Sequence, residues 1–168
     1  MHRTKLLVII ALFGAIIAIT KVFLPFPLDK MFIIIESVLL ATSALMTGRF
    51  GATYVGIIGG VLAAFLRPAL GLFAFLFAFL YGVLIDVSFS TLKVHSKEKV
   101  KLSRMVTALA ISTGLVGFLS YYTTGVLLAV LPMETSLAAP ILVMGIFSGA
   151  IGGYLSTVLW NKHFRKMC

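Results

Sequence analysis

The chain has 168 residues, of which 61% are hydrophobic and only 11% charged, with a mean hydropathy of +1.14. A water-soluble core of this size cannot enclose so much apolar surface, so the composition excludes a soluble globular domain and predicts an integral membrane protein. A net charge of +9 raises the question of nucleic acid, but the basic residues border apolar runs and do not interleave with aromatics on a polar surface, which argues for a lipid bilayer as the partner instead.

The first apolar run, about Lys5–Phe23, follows the basic start His2, Arg3 and Lys5. A signal peptide begins the same way, but no A-x-A cleavage site follows, and the run is read as a spanning helix. Ala11, Gly14, Ala15 and Ala18 recur at i, i+3, i+4 and i+7, which lines one helix face. Helices in lipid gain nothing from hiding Leu against Leu, so close contact relies on small residues. The stripe therefore predicts a docking face, for the rest of the bundle or for another protein's helix. The loop Lys21–Lys30 carries Pro25 and Pro27, which favour an extended path over the bundle mouth.

In the second run, about Met31–Thr47, Glu36 lies six residues beyond Lys30, or about 9 Å in from that end. An ionisable group at that depth is costly unless it pairs, lines a cavity or does work. An ion pair with Lys21 or Arg67 is one reading, and a ligand contact the other. The third run, about Phe50–Leu66, carries Gly56-x-x-x-Gly60 and is closed by Arg67 and Pro68. Along the fourth, about Ala69–Val87, Phe73, Phe77 and Tyr81 share one face and Phe75 and Phe79 another, a pattern of lipid contact and core. Asp86 at its end is expected to neutralise the basic loop that follows, Ser88–Ser103, or to cap the span.

The fifth run, Arg104–Leu131, is long for one crossing and contains Ser120-Tyr121-Tyr122-Thr123-Thr124-Gly125. Consecutive helix positions are about 100° apart, so five hydroxyl residues in a row circle the helix and cannot all face lipid. They predict a ligand site or a hydrogen-bonded core, with a helix end near Thr124. The sixth run, Leu137–Trp160, carries Gly145-x-x-x-Gly149-x-x-x-Gly153.

Six crossings place eleven of the fourteen Lys and Arg residues on one side and leave only Lys21, Lys30 and Arg67 on the other. The side rich in cations is expected to be cytoplasmic. The sequence thus predicts an all-α membrane protein, one compact bundle of six transmembrane helices spanning residues 1–168, in the cell membrane with both termini cytoplasmic. The single Cys168 excludes a disulfide framework and a cysteine metal cluster. HExxH, GxSxG and close acidic pairs are all missing, so the chain is not expected to be an enzyme or to carry a cofactor.

The chain resembles the substrate-binding S-components of energy-coupling factor (ECF) transporters, vitamin-uptake relatives of ABC importers. The likeness covers essentially the whole chain. It rests on size, six spans, the stripe Ala11-x-x-Gly14-Ala15-x-x-Ala18, the Pro-bearing loop after it, and the Gly-rich turn Thr47-Gly48-Arg49-Phe50-Gly51-Ala52-Thr53-Tyr54-Val55-Gly56. The resemblance implies that Ala11 and Ala15, supported by Gly14 and Ala18, dock on a membrane scaffold subunit driven by two cytoplasmic ATPases. It also implies an outward pocket for a vitamin-like small molecule. By depth and side, that pocket would draw on Lys21, Glu36, Arg67, Tyr121, Tyr122 and Thr124. The chain itself has no P-loop. The rival expectation is a membrane scaffold of the rod-shape-determining kind, which binds partners and no small molecule.

Overall fold

The computed structural model describes residues 3–23, 32–66, 71–94, 99–123 and 135–164. Among these residues there are six helices: α1 (Arg3–Phe23), α2 (Ile33–Thr47), α3 (Gly51–Leu66), α4 (Gly71–Thr91), α5 (Leu102–Tyr122) and α6 (Thr135–Lys162). The segments 24–31, 67–70, 95–98 and 124–134, with Lys30, Arg67 and Thr124, lie outside the described residues, as do both extreme ends.

Four helices are long and apolar enough to cross a membrane: Thr4–Phe23, Gly71–Thr91, Leu102–Tyr122 and Ala138–Lys162. The other two differ from the spans expected at residues 31–47 and 50–66, since α2 has 15 residues and α3 has 16. At 1.5 Å per residue they reach about 22–24 Å, short of the roughly 30 Å hydrocarbon core. The surface is polarised for lipid. Leu7, Leu72, Met144 and Phe147 are each about two-thirds exposed, whereas Ser37, Ser43, Ser112 and Thr113 are fully buried.

Short α2 is the hub and touches all five other helices, while α1 leans on α3 and α2 at the periphery. The most intimate pairs are α5 with α6 and α3 with α4, and glycine explains both. A Cβ on Gly149 would meet the Leu109 carbonyl oxygen at 2.5 Å, and one on Gly56 the Ala78 carbonyl oxygen at 2.5 Å. Backbone therefore rests on backbone in these two pairs, as the four-residue glycine spacing leads one to expect.

The helix ends are fixed by local chemistry. α2 stops at Gly48, whose φ of +88° suits glycine, and the turn returns directly into α3 through Gly51 N–H to the Gly48 carbonyl. α4 runs past the expected boundary to Thr91 because Phe89 is wholly buried there. It closes in a Schellman turn, with Val94 N–H donating to Phe89 O at 2.9 Å and Lys93 N–H to Ser90 O at 3.3 Å. Lys93 takes the left-handed position, at φ 50°, that glycine usually fills. Ser88 is thus a helical residue and not part of the basic loop. The Asn161 amide of α6 then grips the chain before α5 from both sides, accepting from Val100 N–H and donating to Val100 O, each at 3.2 Å.

Candidate functional site

A polar layer crosses the bundle interior, and it starts where α1 ends and α2 begins. Lys21 Nζ lies 3.4 Å from Glu36 Oε1, with Glu36 itself only 8% exposed. Of the two ion-pair partners open to Glu36 in the sequence, Lys21 is in place and Arg67 lies outside the described residues; Glu36 has further interactions besides. Ser37 follows it into the core and donates to Ile34 O at 2.7 Å. A Cβ on Gly152 of α6 would collide with the Ser37 hydroxyl, so glycine there is what lets α2 and α6 close around a polar side chain.

Tyr81 of α4 lies at the centre of this layer, 1% exposed, with its phenol 2.8 Å from the Thr113 hydroxyl of α5. Ser37 and Glu36 lie close to the same phenol. Polar side chains of α1, α2, α4 and α5 thus neighbour one another, with Lys21 bonded to Glu36 at one end and Tyr81 to Thr113 at the other. On the same α4–α5 seam, Ser88 and Ser112 share a hydrogen bond at 2.9 Å, and Ser112 reaches Leu84 O at 3.2 Å. The only buried side-chain polar atom without a partner among the described residues is Trp160 Nε1, so the layer is internally satisfied.

Asp86 does something the sequence did not reveal. Buried on α4, it caps the start of α3, a different helix. Its carboxylate accepts from Ala52 N–H at 3.3 Å, Thr53 N–H at 2.8 Å and the Thr53 hydroxyl at 2.6 Å. Negative charge at a helix N-terminus satisfies orphan donors and meets the positive end of the helix dipole.

Two of the remaining expected site residues are described. Tyr121 is half-buried and Tyr122 exposed in the last turn of α5, which ends at Tyr122 with Thr123 following. Ser120 and Tyr121 are engaged in contacts of their own. Arg67 and Thr124 fall outside the described residues. The small-residue stripe divides: Gly14 and Ala18 are buried, Gly14 directly against Ile58 and Gly59 of α3, while Ala15 is half-buried and Ala11 exposed.

Ser37, Tyr81 and Thr113 are the members of this layer that the sequence did not single out as candidate site residues. A serine next to a buried glutamate and a Ser112-Thr113 pair halfway along an apolar run were the available signals. No family model, no curated protein and no solved structure matches the chain.

Removing one member of a buried ion pair costs more than removing both. A double-mutant cycle on Lys21→Met and Glu36→Gln, read by thermal unfolding in detergent, should return a coupling of about 1–3 kcal/mol. Additive losses would mean that the two side chains are held by other partners.

Proposed function

We propose that this chain is the substrate-capture subunit of an ECF-type importer, with six crossings and both termini in the cytoplasm. In this reading α2 and α3 complete the crossings despite their length. α2 is enclosed by other helices and need not match the bilayer, and local thinning accommodates α3. The observation that carries the proposal is the polar layer from Lys21 to Thr113. A membrane bundle that needed only to pack could fill this space with Leu and Ala, whereas a charge pair, a phenol and two hydroxyls are the groups that orient a heterocycle with polar substituents.

The layer begins at the bundle end away from the cations of Arg49, Lys93, Lys99, Lys101, Arg104 and Lys162. A basic cytoplasmic side would leave its mouth facing outward. In this reading Lys21, Glu36, Ser37, Tyr81 and Thr113 line the pocket once the layer parts to admit a ligand, with Tyr121 and Tyr122 at its rim and Arg67 and Thr124 as further contacts expected from the sequence. α1 stands at the edge of the bundle, and exposed Ala11 and half-exposed Ala15, flanked by Leu7, Val8 and Leu12, offer the smooth surface on which a scaffold subunit would dock. The chain contributes no catalysis in this scheme, since ATP is hydrolysed by the two partner ATPases.

Native mass spectrometry of the detergent-purified protein, with a thermal-shift screen against a vitamin panel, tests the reading. One retained small molecule or one stabilising vitamin is expected. A protein that is empty and unresponsive to the whole panel would sink the capture role and favour the rod-shape-type scaffold. Ala15→Leu is expected to spare ligand binding and abolish co-purification with the scaffold subunit. Loss of both together would place Ala15 in the bundle's own packing.

A further inference from the structure

Four cations surround one small cavity at the opposite end of the bundle from Glu36. Lys93, Val94, Lys99, Lys101 and Arg104 line a space of about 70 Å³ that opens to the surface. At that size it has room for several waters, and so for one tetrahedral anion. Among the described residues no carboxylate lines it; Glu98, next to Lys99 in the sequence, lies outside them.

Like charges on a free loop spread apart, but these are fixed to a rigid backbone on both sides. Lys93 is held at its left-handed φ by the Schellman turn, with Val94 buried behind it as an anchor. Lys99 and Lys101 flank Val100, which is buried and clamped by the Asn161 amide. Arg104 reaches across and donates from Nη1 to Lys93 O at 3.4 Å, tying the end of α4 to the start of α5. The start of α5 adds to the positive field: its N-cap, Lys101, makes no side-chain cap bond, so the first-turn N–H groups lack that acceptor.

We infer that this cavity is a binding site for a single phosphate group. Lys93, Lys99, Lys101 and Arg104 supply charge, and the Arg104 guanidinium supplies directed donors. The cavity lies at the level of the helix ends, where phospholipid headgroups lie in a bilayer, so the phosphate belongs either to an anionic lipid or to a soluble phosphate compound.

The test uses the full chain in detergent, titrated with phosphatidylglycerol or phosphatidylcholine and read by native mass spectrometry. One phosphatidylglycerol should be held roughly tenfold more tightly than phosphatidylcholine, and Lys101→Gln/Arg104→Gln should remove most of that preference. Lys162→Gln, a cation at the same end but not among those lining the cavity, should leave it unchanged. Displacement of the lipid by millimolar inorganic phosphate would assign the site to a soluble phosphate, and resistance to displacement would assign it to lipid. No lipid preference together with no phosphate binding overturns the inference. So does an equal loss in Lys162→Gln, which would mean diffuse attraction. Should the double variant fail to insert, Lys101→Gln alone carries the same test, with an expected loss of about threefold.

Discussion

Asp86→Ala should lower the stability of the bundle by about 3 kcal/mol, read as the loss of helical signal during thermal or denaturant unfolding in detergent. The substitution strips the acceptor from three donors at once, Ala52 N–H, Thr53 N–H and the Thr53 hydroxyl. Ala52 is buried and Thr53 half-buried, so the orphaned groups bear part of their desolvation cost. Asp86→Asn should fall between wild type and Asp86→Ala, because one oxygen remains while the charge that meets the α3 dipole is gone. Thr53→Val should cost about 1 kcal/mol, since it removes one hydrogen bond and leaves both backbone donors capped. Wild-type stability in Asp86→Ala would show that α3 starts without help from α4.

Gly149→Val should be at least as damaging and act by a different route. The first added carbon would sit 2.5 Å from Leu109 O and 2.8 Å from Ala110 Cα, atoms of the α5 backbone that no rotamer change can move. The α5–α6 pair would have to part along its length, at a cost of about 3 kcal/mol or more. Unfolding in detergent and protease sensitivity of the 99–101 segment would both report it. Gly117→Ala on α5 provides the contrast, since nothing lies within 4 Å of the added carbon. It should be neutral or stabilising by up to about 1 kcal/mol through helix propensity. Equal damage from the two substitutions would mean that glycine serves flexibility in these helices instead of contact.

These two cases show what a sequence of this kind discloses. The glycine ladder at Gly145, Gly149 and Gly153 was legible because its four-residue spacing is a property of one helix. The clustering of cations was legible because successive helices alternate in direction, and Arg49, Lys93, Lys99, Lys101, Arg104 and Lys162 do collect at one end of the bundle. Tyr81 could be read only as one more aromatic on an apolar face, because its partner Thr113 lies 32 residues away on another helix. Asp86 sat near the end of α4 in the sequence, and nothing local says that it caps α3. The end of α4 was placed too early, since Lys93 closes the helix in a position where glycine would have announced the stop. In the candidate site, the sequence named Lys21 and Glu36 but carried attention onward to the Tyr121-Tyr122 band. Runs of consecutive hydroxyl residues are conspicuous in a string, and residues assembled from four helices are not.

The hydroxyl seam between α4 and α5 also suggests an order of assembly. α3 with α4, and α5 with α6, are closed by backbone lying on backbone, so each pair can zip as soon as both of its helices have entered the membrane. The Tyr81–Thr113 and Ser88–Ser112 bonds join side chains that water trapped in a part-assembled bundle can satisfy in the meantime, which makes that junction the last to set. α5 and α6 would then arrive as a finished unit beside the earlier helices, and newly made chains should show a short-lived stage at which the seam is wet and the glycine contacts are already dry.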